Sequence, residues 1–133
     1  MKLFKVIMCA WLALMCVSQA AGTEVVDVSP KQVAAMLKSK SAPQVIDVRT
    51  SDEYKKGHIK GAVVIDVTKS DFAAQLGKLD KEKTYIIHCR SGGRSGKALK
   101  TFKKLGFSKI YHMDDGMNGW KKAGMSTESK KTE

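Results

Sequence analysis

The run His88-Cys89-Arg90-Ser91-Gly92-Gly93-Arg94-Ser95 puts a thiol, two guanidinium groups, two hydroxyls and a glycine pair within eight residues. Such a thiol attacks only as the thiolate. Gly92 and Gly93 let the backbone curl so that successive N–H groups point inward, and a helix opening at Ser95 adds the positive end of its dipole. Together they make a nest for an anion. With Arg90 and Arg94 adding positive charge, Cys89 is expected to ionise below the free thiol value of about 8.5 and to be nucleophilic at neutral pH.

The elements that must hold this run can be read on either side of it. Thr84 to His88 is an apolar strand that stops at Cys89, and Ala98, Leu99, Phe102 and Leu105 recur at helical spacing behind Ser95, with Gly106 as the C-terminal cap. A loop between a buried strand and a helix is where open α/β sheets place their ligands. Upstream, Glu24 to Val28 reads as a strand, and Ser29 caps a helix that has Pro30 at its first position and ends near Lys40. Gln44 to Val48 is continuous and β-branched, the pattern of a strand covered on both faces, and is expected to be central. A short helix at Asp52 to Lys55, a strand at Ala62 to Ile65 and a helix at Asp71 to Leu79 follow. Lys109 to Met113 closes the sheet and Met117 to Ala123 forms the last helix. The alternation predicts an α/β domain with an open, mostly parallel sheet and helices on both faces.

Composition sets the limits around that domain. The 133 residues suit one domain, and 43% hydrophobic with 28% charged residues excludes a disordered chain. Residues 1–20 read as an export signal: Lys2 and Lys5 form a basic start, Val6 to Val17 an apolar run, and Ser18-Gln19-Ala20 a cleavage site. Twelve apolar residues reach about 18 Å as a helix, short of the roughly 30 Å of a bilayer's hydrocarbon, so no stable membrane anchor is expected. Residues 21–125 are then the domain, 126–133 a polar and loose tail, and the location periplasmic. Cleavage would remove Cys9 and Cys16 and leave Cys89 as a lone thiol in an oxidising compartment. The formal charge of +11, little changed by losing two lysines, would draw anionic small molecules toward the cleft. Lysines 97, 100, 103, 104, 121 and 122 serve solubility, and with no aromatic-lined basic motif a nucleic-acid partner is not expected.

Three stretches carry a family resemblance. The Cys-Arg-x-Gly-x-Arg loop at 89–94, VIDVRTSDEYKKGHIKGAVVI at 45–65 and DGMNGWKKAGM at 115–125 resemble motifs of the single-domain rhodaneses, a sulfurtransferase family. The resemblance implies a five-stranded rhodanese-like sheet and a catalytic Cys89 that becomes a persulfide, with thiosulfate or a similar small anion as donor and a thiol or cyanide as acceptor. It calls for no metal or organic cofactor. It implies that the loop of Ser91, Gly92, Gly93 and Ser95 stabilises the persulfide, and that Arg90 and Arg94 bind substrate, with loop holding as the alternative for Arg94. Asp47 and Arg49 are expected in support, Arg49 paired with Glu53 or a neighbouring acid. Glu53 is a departure, because two-domain thiosulfate sulfurtransferases carry an arginine that meets the donor six positions beyond the aspartate matched by Asp47.

Two rival functions remain in view. Cysteine phosphatases also follow His-Cys with a glycine-bearing loop and Arg, but they place five residues between Cys and Arg, whereas Cys89 and Arg94 enclose four. A non-catalytic binding module of the same fold is the other rival, and the intact cysteine loop argues against it. His58, His88 and His112 lack metal-ligand spacing and read as framework residues, as Met117 and Trp120 read as packing.

Overall fold

The computed structural model describes residues 22–130, and the export-signal expectation for residues 1–20 lies outside them. Ten elements alternate along the chain: β1 (Glu24–Asp27), α1 (Pro30–Met36), β2 (Gln44–Asp47), α2 (Ser51–Lys56), β3 (Val63–Val64), α3 (Phe72–Gly77), β4 (Thr84–His88), α4 (Gly93–Leu105), β5 (Lys109–His112) and α5 (Gly116–Lys122). The strands form one sheet in the order β1-β5-β4-β2-β3, with every pairing parallel. The expected α/β architecture is therefore present. The middle position, however, belongs to β4 and not to the Gln44 strand, which lies between β4 and β3 and is covered on both faces, with Ile46 in one core layer and Val45 in the other.

Right-handed crossovers explain which helix lies where. The steps β1 to β2 and β2 to β3 run one way across the sheet, and the steps β3 to β4 and β4 to β5 run back. Helices linking opposite steps must lie on opposite faces. Accordingly Phe72 and Leu76 of α3 pack with Ala98 and Phe102 of α4 against Ile46, Ile87 and Ile110. Val33 of α1 and Met117 and Trp120 of α5 pack on the other face with Val45 and Ile86. Phe102 anchors the first layer, edge-on to Phe107 at 5.0 Å and to Phe72 at 6.4 Å. Alternation along β4 sends Tyr85, Ile87 and Cys89 toward α4, while Ile86 faces the α5 layer.

Local signals account for most boundaries. Ser29 caps α1 in a reciprocal box with Gln32, and Gly106 ends α4 with φ +82°. Most other boundaries move by one or two residues from expectation, and two of the shifts stand out. α1 stops at Met36, several residues short of Lys40, and α4 begins at Gly93 because Gly92 takes up the left-handed cap, so Ser95 lies inside the first turn. The tail is also not loose from Ser126. Trp120 Nε1 donates to the Ser126 carbonyl, Glu128 exchanges backbone hydrogen bonds with His58, and Lys130 N reaches Lys55 O. Polar composition carries no trace of this strap, because backbone groups make it.

Candidate active site

Cys89 follows β4 directly, at the carboxyl edge of a parallel sheet and just before the first turn of α4. It is 1% exposed. Its sulfur receives the Gly92 amide at 3.1 Å and the Ser95 hydroxyl at 3.3 Å. Burial pushes the thiol up, but hydrogen bonds from the Ser95 hydroxyl and from the Ser95, Ser91 and Gly92 amides outweigh it, and the pKa lies below the ordinary value. Charge-assisted hydrogen bonds contribute about 1.5–3 kcal/mol each, so several of them suffice against the cost of burying one sulfur.

The amides can face inward because the carbonyls are held outward. Met117 N donates to Cys89 O at 2.9 Å and Asn118 N donates to Arg90 O at 3.0 Å, so the first turn of α5 takes up the two carbonyls at the start of the loop. This approach needs glycine. Gly116 has φ +61°, and a Cβ there would lie 2.5 Å from Arg90 O and 2.8 Å from Cys89 O. Gly92, at φ +93°, would drive a Cβ into the Asp114 carbonyl oxygen. Sequence reasoning placed Gly92 in the loop but missed Gly116, whose role arises only where α5 returns to the Cys89 loop.

The two arginines of the loop part company. Arg90 is exposed and forms no ion pair among the described residues. Arg94, expected among the substrate contacts, instead donates Nη1 and Nη2 to the two carboxylate oxygens of Glu53 at 2.7 and 2.9 Å, which fits the loop-holding alternative. The hydrogen bonds from Arg94 hold Glu53 down to a pKa of about 2, against burial that raises it. Glu53 also accepts from Thr50 Oγ1, the side chain that caps α2. The departure at Glu53 thus occupies the cation that the loop sends toward α2.

Asp47 and Arg49 form a closed pair at the end of β2. Arg49 Nε reaches Asp47 Oδ1 at 2.9 Å, Nη2 reaches Oδ2 at 2.7 Å, and Nη2 also donates to Gly57 O at 2.8 Å. Both residues are buried. Arg49 therefore pairs with Asp47 and not with Glu53, and the pair ties β2 to the end of α2. His88 donates Nδ1–H to Cys89 O at 3.0 Å, and burial keeps its pKa low, so the ring is neutral. His58 stacks on Tyr54 at 3.8 Å and meets Tyr54 O through Nδ1, a framework position. His112 does more than the framework reading allowed: its Nε2 lies 2.7 Å from Ser95 Oγ.

Comparison with known proteins agrees with this geometry. A family model described as Rhodanese-like domain matches residues 29–123. The chain is 34% identical over 95 residues to the probable adenylyltransferase/sulfurtransferase MoeZ of Mycobacterium tuberculosis, covering 71% of this chain and only 24% of that protein. It is 29% identical over 115 residues to thiosulfate sulfurtransferase 18 of Arabidopsis thaliana, covering 77% of this chain and 83% of the other. Among solved structures, the polysulfide-sulfur transferase homodimer of Wolinella succinogenes matches with a TM-score of 0.64 and 30% identity over 79% of each chain.

Two outcomes follow from the site's framework. Gly116→Ala forces a left-handed residue against two carbonyls, and urea unfolding should show a loss of about 2 kcal/mol or more together with a raised Cys89 pKa. Glu53→Gln tests the ion pair. Because the folded-state pKa of Glu53 is lowered from 4.5 to about 2, its contribution is complete above about pH 5 and lost as pH falls toward 2. Wild type should therefore be the more stable protein at pH 6, and the two unfolding curves should converge on acidification.

Proposed function

The chain belongs to the rhodanese-like family of sulfurtransferase domains, and from that premise we propose that it carries a sulfane sulfur as a persulfide on Cys89, taken from thiosulfate or a similar anionic donor. The observation that carries this reading is the set of donors converging on Cys89 Sγ, with the Gly92 amide at 3.1 Å and the Ser95 hydroxyl at 3.3 Å. They favour a sulfur anion at a buried position. A polysulfide, from which the Wolinella succinogenes transferase takes its name, offers the same chemistry.

In the first half-reaction Cys89 thiolate attacks the outer sulfur of thiosulfate. A Cys89 S–S bond forms, the donor's S–S bond breaks, and its electron pair leaves with sulfite. In the second, a thiol or cyanide attacks the outer sulfur of the persulfide and the Cys89 thiolate leaves. The inward amides of Ser91, Gly92 and Ser95 stabilise negative charge on sulfur throughout, as an oxyanion hole does on oxygen. Arg90, exposed at the rim, attracts the anionic donor, and Arg94 shapes the loop through Glu53. The N-terminal basic and apolar run of residues 1–20 supports a periplasmic setting, where soluble anions would be the donors.

Incubation with thiosulfate should add the mass of one sulfur atom to the Cys89 peptide, and Cys89→Ser should abolish turnover with the fold intact, since a hydroxyl forms no persulfide. Failure of wild type to take up that mass, with Cys89 reduced, would leave the binding-module reading in its place. Arg90→Ala should raise the donor's KM about fivefold with kcat nearly unchanged, because attraction acts on encounter and not on bond making. Steady-state kinetics across ionic strength checks this: the variant should also lose part of the salt dependence of kcat/KM.

A further inference from the structure

A second row of polar groups reaches the Cys89 sulfur from the sheet. Ser95 Oγ, 3.3 Å from Sγ, is 2.7 Å from His112 Nε2 on β5, and His112 Nδ1 is 3.4 Å from Asp27 Oδ1 on β1. Asp27 and His112 face each other in register across the β1–β5 pairing. Ser95 and His112 are buried, whereas Asp27 is at the surface. Among the described residues, the other acceptor for the Ser95 hydroxyl is Gly92 O at 3.3 Å, which already takes the Gly96 amide at 2.9 Å.

We propose that His112 is a positioning residue that takes the Cys89 proton through Ser95, so that the resting site holds a thiolate and an imidazolium bridged by one hydroxyl. The step balances without any oxidant or co-reactant. The Cys89 S–H bond breaks as its proton passes to Ser95 Oγ, and the Ser95 proton passes to His112 Nε2. No electrons change owner. Before the step, S–H donates to Ser95 and Ser95 donates to Nε2, with the Asp27 carboxylate 3.4 Å from Nδ1. Afterwards Nε2–H donates to Ser95 and Ser95 donates to the sulfur anion. Both hydrogen bonds of Ser95 survive with their direction reversed, and the Asp27 carboxylate faces a cation.

The other ionisable groups around the row are already committed or point away. His88 on β4 has its Nδ1–H on Cys89 O and is neutral through burial. Asp47 and Arg49 at the end of β2 close on each other, and Arg94 of α4 closes on Glu53 of α2. Arg90 on the loop is exposed. Among the described residues, His112 is the base with a hydrogen-bonded path to the sulfur.

The role of Cys89 as a sulfur carrier gives this relay its use in turnover, but the test separates the two. The rate of Cys89 alkylation by iodoacetamide is followed against pH on the full chain, by mass spectrometry of the Cys89 peptide. His112→Asn keeps a donor to Ser95 but cannot take a proton. It should move the midpoint upward about one unit, with the same plateau at high pH, and so lower the rate about tenfold on the rising limb below the wild-type midpoint. A merely structural loss would lower the plateau instead. Asp27→Asn, a surface change that spares the core, should move the midpoint the same way by about two- to threefold in rate. Midpoints equal to wild type in both variants overturn the relay, whether or not thiosulfate loads sulfur onto Cys89. A shifted midpoint supports it even if no persulfide forms.

Discussion

The constraint on which the rest depends is the placing of negative charge on a sulfur that water hardly reaches. Cys89 is 1% exposed, and burial alone would keep it protonated. The loop reverses that outcome by turning at least three amides and a hydroxyl toward one atom. A peptide unit that points its N–H inward must point its C=O outward, so an inward ring of donors creates an outward ring of acceptors. Those acceptors need partners where they are buried. Met117 and Asn118 supply them for Cys89 and Arg90, and Gly96 supplies one for Gly92. The active loop is therefore as much a product of α5 as of its own glycines.

The fold delivers both helices to the same place. α4 starts on one face of the sheet and α5 on the other, yet each starts at the carboxyl edge, because each follows a parallel strand. The loop after β4 is clamped between their first turns. Strand order matters too. With β5 next to β4 and β1 next to β5, the side chains of His112 and Asp27 lie in line beyond Ser95. The buried pair of Asp47 and Arg49 fixes the other flank, and removing either partner would strand a charge in the core, at a cost of about 3–5 kcal/mol.

The sequence was legible wherever a function is written in neighbouring residues. Cys89, the glycine pair and the bounds of β4 could be read because a strand, a turn and a helix start lie in one run. The apolar periodicity of α4 located Ala98 and Phe102 in the core for the same reason. What escaped is held between distant segments. Glu53 and Arg94 meet only because α2 packs beside the loop, and nothing local marks Arg94 as paired. Nothing local singles out Gly116, although its bare backbone is what lets α5 touch Cys89 O. His112 read as framework because its partners lie on β1 and α4, and the pairing of Glu128 with His58 was hidden in a polar stretch.

The burial of the sulfur also bears on how it could change hands. An incoming donor must meet the Cys89 sulfur from a side that the Gly92 amide and the Ser95 hydroxyl leave free, and Arg90 is the exposed cation of the loop. A persulfide formed along that direction would place its outer sulfur about 2 Å farther out, since that is the length of a sulfur–sulfur bond. The carried atom would then be the reachable one, while the atom that carries it stays enclosed. An acceptor meets the outer sulfur first, and the departing thiolate falls back among the donors that held it at the start. In the proposed cycle, loading and unloading would thus use one set of donors.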